Sequence, residues 1–194
     1  LTFILLFSTC ILIAQVASIE SPDKQLRVDL HIDANKLFYS VNFKGQPVLE
    51  KSPLGFISNE GDFINGISFE SSTDSVIEKQ YTQDRIKVST ISYHANVLKT
   101  TFSNAEKKSF SVTFQVSNND IAFRYELPVW KETRSVVIQK EHTGYKFPST
   151  TTSFLSTMMK PMTGFARTAV SYESGYSIDA PIASAKSDFG FVFP

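Results

Sequence analysis

The chain has 194 residues, of which 42% are hydrophobic, 13% aromatic and 20% charged, a composition that excludes disordered and fibrous classes. Nineteen Lys and Arg balance nineteen Asp and Glu, so no summed field draws the chain to nucleic acid or to an anionic membrane surface. The single cysteine, Cys10, excludes an internal disulfide and a CxxC zinc site.

The first residues are set apart from the fold. Phe3 to Val16 form an uncharged apolar run, too short to cross a hydrocarbon core of about 30 Å, which takes about 20 residues. It reads as a secretory leader over residues 1–18, with Val16 and Ser18 as the small side chains before a cleavage point. Because Leu1 is neither Met nor preceded by a basic segment, the chain is expected to start inside that leader. Phe7, Ser8 and Thr9 before Cys10 make a poor lipidation signal. A secreted or periplasmic location follows, with no membrane attachment once the leader is removed.

From Ser21 the pattern has period two. Leu26, Val28 and Leu30 alternate with Arg27, Asp29 and His31, and Leu37, Tyr39, Val41 and Phe43 alternate with more polar neighbours, which predicts two half-buried strands. Asp33-Ala34-Asn35-Lys36 between them contains residues that tolerate positive φ, so a hairpin is expected there, and Lys44-Gly45-Gln46-Pro47 reads as the next turn. Arg85–Ser92, Val97–Phe102, Phe110–Val116, Ile121–Leu127 and Ser135–Lys140 are each rich in β-branched or aromatic residues and are predicted strands. No stretch carries a capped helical stripe longer than two turns. Seventeen Phe, seven Tyr, one Trp, eight Gly and eight Pro fit short strands joined by turns around an aromatic core. The expected class is all-β, a mostly antiparallel sandwich or barrel. Beyond Phe154 the alternation fails, and Met158, Met159, Pro161, Met162, Gly164 and Phe165 read as an irregular connection. Phe189–Phe193 reads as a last strand, ending so abruptly at Pro194 that the protein is expected to continue.

Several segments, in order, carry a resemblance. Ser21-Pro22-Asp23, Tyr39-Ser40-Val41, Lys44-Gly45, Pro47-Val48-Leu49 and Ser52-Pro53-Leu54-Gly55-Phe56 are similar to the start of the N-terminal domain of glycoside hydrolase family 97. Downstream, Ile121-Ala122-Phe123-Arg124-Tyr125-Glu126-Leu127-Pro128 and Ile138-Gln139-Lys140-Glu141-His142-Thr143 resemble two later strands of that domain. The chain departs from the family pattern at Asp120, where Gly is common, and near Phe154, where Trp is common. The resemblance implies a galactose-mutarotase-like β-sandwich over residues 19–194. In complete members a (β/α)8 catalytic barrel follows, and its partner role here would be filled by a missing part of the same chain. It implies exo-acting α-glucosidases or α-galactosidases with an active-site calcium ion, acting on oligosaccharides or α-glycosides.

Within that resemblance Glu173, in Tyr172-Glu173-Ser174-Gly175-Tyr176-Ser177, matches a glutamate that reaches a Ca2+ ion, which takes hard oxygen ligands at about 2.3–2.6 Å. Read alone it is a solvated loop carboxylate. Tyr172 and Tyr176 flank it as candidate sugar-stacking residues, or as ordinary packing. Arg124 and Glu126 lie two apart on one strand and face the same side, which reads as a structural ion pair or, alternatively, as a sugar contact. Glu141 and His142 are adjacent, face opposite ways and make no compact dyad. His142 reads as surface or packed, and His31 and His94 have no metal spacing to another ligand. No catalytic residue is assigned. Two other classes fit the residues: a stand-alone carbohydrate-binding or adhesive sandwich, and a mutarotase or epimerase, which needs a His with an acidic partner.

Overall fold

The computed structural model describes residues 14–157, 176–186 and 191–192, apart from 86, 88, 131, 133 and 134. Its chain divides into two compact units, residues 1–146 and 147–194. The described residues form antiparallel strands and one short 3-10 turn, Ile182–Ser184.

The first unit contains a four-stranded sheet in the order β1 (Ala14–Glu20), β2 (Leu26–Asp33), β3 (Lys36–Phe43) and β4 (Gln46–Pro53). It is a simple meander because each connection is a tight turn. Ala34 and Asn35 take φ of 48° and 56° and Asp33 faces Lys36, the two-residue hairpin expected from the sequence, in the positive-φ form whose twist suits the flanking strands. Lys44 and Gly45, at 49° and 77°, close the next hairpin in the same way. Residues 14–18 of the expected leader lie in β1, paired with β2 from Ile32 to Asp29.

The second four-stranded sheet has the order β10 (Ile121–Glu126), β9 (Ser109–Ser117), β8 (Thr90–Ser103), β7 (Ser68–Thr82). The inner faces of the two sheets make the core. Val28, Leu30, Leu37, Tyr39 and Val41 come from one, and Leu98, Phe102, Phe110, Val112, Phe114 and Val116 from the other. Tyr39 meets the Phe114 and Phe123 rings at 5.8 Å each, spacings at which tilted aromatic pairs attract beyond their area burial. The fold is therefore an all-β antiparallel sandwich with an aromatic core.

Two expectations change. Arg85–Ser92 is not one strand: Gln83 N–H bonds the Ser89 carbonyl at 2.8 Å and Arg85 sits at φ 64°, so the chain reverses there and β8 starts only at Thr90. Its partner β7 went unforeseen. SFESSTDSVIEKQYT is polar and exposed on nearly every position, so no alternation marks it, and backbone pairing with β8 alone makes it a strand.

A small sheet of β11 (Ile138–Glu141), β5 (Phe56–Ser58) and β6 (Gly61–Asp62) completes this unit. In the second unit, β13 (Tyr176–Pro181), β12 (Thr152–Thr157) and β14 (Phe191–Val192) form a three-stranded sheet. Strand β12 thus continues past Phe154 to Thr157, beyond the point where the alternation fails in the sequence; Met158 to Phe165, read as an irregular connection, lie outside the described residues. The predicted Phe189–Phe193 strand is represented by Phe191–Val192.

Candidate functional site

Three of the segments that carried the family resemblance, far apart in sequence, meet at one place. After β10, residues 135–146 form a strap on the sandwich, with Trp130 packed ahead of it. Backbone bonds seat it on residues 50–59: His142 N–H to Gly55 O at 2.8 Å, Gly144 N–H to Pro53 O at 3.0 Å, and Glu50 N–H to Lys146 O at 2.7 Å. Lys146 N–H bonds Ser52 Oγ at 2.8 Å, and Val137 N–H bonds Asn59 Oδ1 at 2.9 Å. Below it, the Tyr125 hydroxyl accepts from Gly55 N–H at 2.8 Å and pairs with Thr143 Oγ1 at 2.8 Å. One hydroxyl so joins all three segments.

Gly55 is obligatory here. Its φ is 139°, a conformation L side chains rarely adopt, and a Cβ would lie 2.6 Å from the Phe63 carbonyl oxygen. Trp130 stacks on Phe63 at 5.1 Å, and its indole N–H bonds Ser109 O at 3.0 Å, which anchors the chain ahead of the strap. The Tyr39 hydroxyl donates to Gly144 O at 3.2 Å. Burial, with Tyr145 and Tyr125 nearby, pushes the Tyr39 hydroxyl up to about 12. Burial also raises Tyr125, against its bonds to Thr143 and Gly55. Both stay neutral at physiological pH and act as fixed hydrogen-bonding groups rather than bases. The strap leaves Glu141 and Tyr145 exposed and His142 half-buried; Glu141 and His142 make no dyad. The chemistry of this junction is positioning.

Arg124 and Glu126 form the expected pair at 2.9 Å, with more partners than the sequence indicated. Lys99 Nζ donates to Glu126 Oε2 at 2.6 Å, and the Thr113 hydroxyl donates to Glu126 Oε1 at 2.8 Å. These bonds, Lys99 first, then Thr113 and Arg124, hold the Glu126 carboxyl down at about 2. His94 lies 3.8 Å from Glu78 on the exposed ribbon. His31 bonds Ser40 at 3.1 Å, and burial lowers its pKa, so neither His sits in a ligand set. Tyr172 and Glu173 lie outside the described residues. Tyr176 opens β13 with its backbone opposite Ser156.

The first unit is thus a two-sheet antiparallel sandwich locked by the junction of these three segments. The sequence profile of the glycosyl-hydrolase 97 N-terminal family matches residues 19–194, and the chain belongs to that family. A beta-arabinopyranosidase crystal structure is similar, with a TM-score of 0.83 and 39% identity over 93% of this chain and 29% of that one. A glycoside hydrolase family 97 enzyme from Pseudoalteromonas sp. strain K8, solved in complexes with panose and with acarbose, has a TM-score of 0.65 at 24% identity. That match covers 72% of this chain and 22% of that one and speaks to the fold alone. The chain spans less than a third of the length of these enzymes. No curated protein matches it.

Proposed function

We propose that this domain walls the substrate pocket of a secreted or periplasmic glycosidase and lends that pocket one calcium ligand, Glu173, with Tyr172 and Tyr176 beside the sugar. The 39% identity to a beta-arabinopyranosidase over 93% of the chain carries this reading. An L-series β-arabinopyranoside has the ring configuration of a D-series α-galactoside without its hydroxymethyl group. One pocket shape therefore serves both, and these two sugar classes are the substrates proposed.

Among the described residues no group of three or more His, Cys, Asp and Glu is placed to hold a metal ion. Glu173 lies outside the described residues, and a single carboxylate lent to a site finished by another domain is the arrangement that the resemblance to family members implies. A bound calcium ion supplies a fixed positive charge beside the reacting sugar. This domain's own part is to place one carboxylate and two aromatic rings. The catalytic acid and base belong to the barrel expected to follow.

The test uses the complete enzyme and follows hydrolysis of aryl α-galactoside and aryl β-L-arabinopyranoside against calcium concentration. Glu173→Gln keeps the side-chain shape but removes a charge, so half-maximal activity is expected to need roughly tenfold more calcium, with activity recovering at high calcium by mass action. Glu126→Gln, in a strand ion network, is the matched control and leaves the calcium dependence unchanged. A wild-type calcium titration for Glu173→Gln overturns the assignment.

A further inference from the structure

The outer face of the β10-β9-β8-β7 sheet carries a furrow that the calcium reading does not use. Cross-strand register sets its rows: Thr73, Lys99, Thr113 and Arg124 stand side by side, then Ser75, Val97, Gln115 and Ala122, then Lys79 beside Tyr93. A cavity of about 370 Å³ opens on this face, within the range that holds small ligands. Ile77 and Val97 give it an apolar floor, while Thr113, Gln115, Lys79 and Arg124 supply hydrogen-bonding groups. Gln115 is held in place by a 2.5 Å bond from its amide nitrogen to the Tyr93 hydroxyl.

Charge selects the occupant. Among the described residues lining the cavity, two are cations and none is a carboxylate. Arg124 commits Nε and Nη2 to one oxygen of Glu126 and is otherwise 73% exposed, which leaves guanidinium donors for a second anion. Lys79 has no ion-pair partner among the described residues. The other charges on this face are Lys99 and Glu126, bonded to each other, and Glu70, which accepts from Ser109 beyond the cavity; Thr113 donates its hydroxyl to Glu126 and keeps its oxygen lone pairs as acceptors for a ligand. The chain as a whole is neutral, so this local excess suits a short ligand rather than a long polyanion.

We propose that this furrow binds an acidic oligosaccharide, its carboxylates on Lys79 and Arg124 and its hydroxyls on Gln115 and Thr113. This site goes beyond the calcium reading and stands or falls separately from it, because its readout is binding and not hydrolysis.

Calorimetric titration of the 194-residue chain with tetragalacturonate, and with maltotetraose as the neutral comparison, tests it. Tetragalacturonate is expected to bind, and to weaken by about fivefold or more between about 50 mM and 500 mM NaCl, as a screened charge contact does. Lys79→Ala and Gln115→Ala are each expected to weaken it about fivefold or more. Lys24→Ala, a cation outside the furrow, leaves it unchanged. Both furrow side chains lie off the core, and an unchanged melting temperature separates lost contact from lost fold. Equal or tighter binding of maltotetraose, binding that survives both furrow substitutions, or no binding of tetragalacturonate overturns the proposal.

Discussion

Strand β8 belongs to two different environments along its length. From Ala95 to Ser103 it pairs with β9 as well as β7, and Ala95, Val97, Leu98, Thr100, Phe102 and Ser103 are buried. From Thr90 to His94 it pairs with β7 alone, as a two-stranded ribbon, and none of its residues is buried. The alternation of side chains is the same in both halves. What differs is a third strand and a facing sheet, so strand identity and burial are separate properties: hydrogen bonding to one neighbour secures the first, and covering layers supply the second.

The sharpest way to break the comparison is at the layered end. Phe114 is fully buried, with ring neighbours Tyr39 at 5.8 Å and Phe123 at 5.3 Å. Phe114→Ala is expected to cost about 3–5 kcal/mol through lost transfer energy and the cavity left behind, read as a drop in the denaturant midpoint. A loss below about 1 kcal/mol would mean that the two sheets do not pack as described.

Next comes the junction that ties the strap to the sandwich. Tyr125→Phe keeps the ring against Phe56 and Phe123 but strands Gly55 N–H and Thr143 Oγ1. About 1–3 kcal/mol is expected, together with faster amide exchange at His142 and Gly144 than in the sheets. Uniform exchange changes across the domain would show that the strap is not a separately loosened piece.

A smaller effect belongs to the polar outer face. Glu126 has its pKa lowered in the fold, so its contribution is fully present above the ordinary carboxylate range and is lost as pH falls toward about 2. Glu126→Gln is expected to cost about 1 kcal/mol at neutral pH, allowing for solvent screening. The gap to wild type closes on acidification from about pH 4 downward; a gap constant over that range would remove the ion network as its cause. Smallest of all, Tyr81→Ala on the ribbon, where Tyr81 faces Ile91 and is 43% exposed, should shift stability by about 0.5 kcal/mol or less. A larger loss would show that the ribbon is covered.

Much of the architecture was legible in the sequence for local reasons. The β2–β3 and β3–β4 hairpins rest on residues that accept positive φ at Ala34-Asn35 and Lys44-Gly45, and β9 and β10 rest on dense aromatic and β-branched runs. The Arg124 and Glu126 pair followed from the two-residue period of a strand. Strand β7 was not legible, because a polar segment paired on one edge has no apolar pattern to show.

The site divides the same way. Family kinship lay in short motifs, and composition excluded long polyanions, a disulfide and a CxxC zinc site. That Ser52–Phe56, Tyr125 and Thr143 share one hydrogen-bonded junction was decided only by the tertiary structure, as was the furrow that assembles Lys79, Gln115 and Arg124 from three strands. A sequence records which residue types alternate and turn, since those depend on neighbours in the chain. Which distant hydroxyl meets which backbone N–H depends on sheet register and on the path of the strap. Both follow from the packing of the whole core rather than from any one segment.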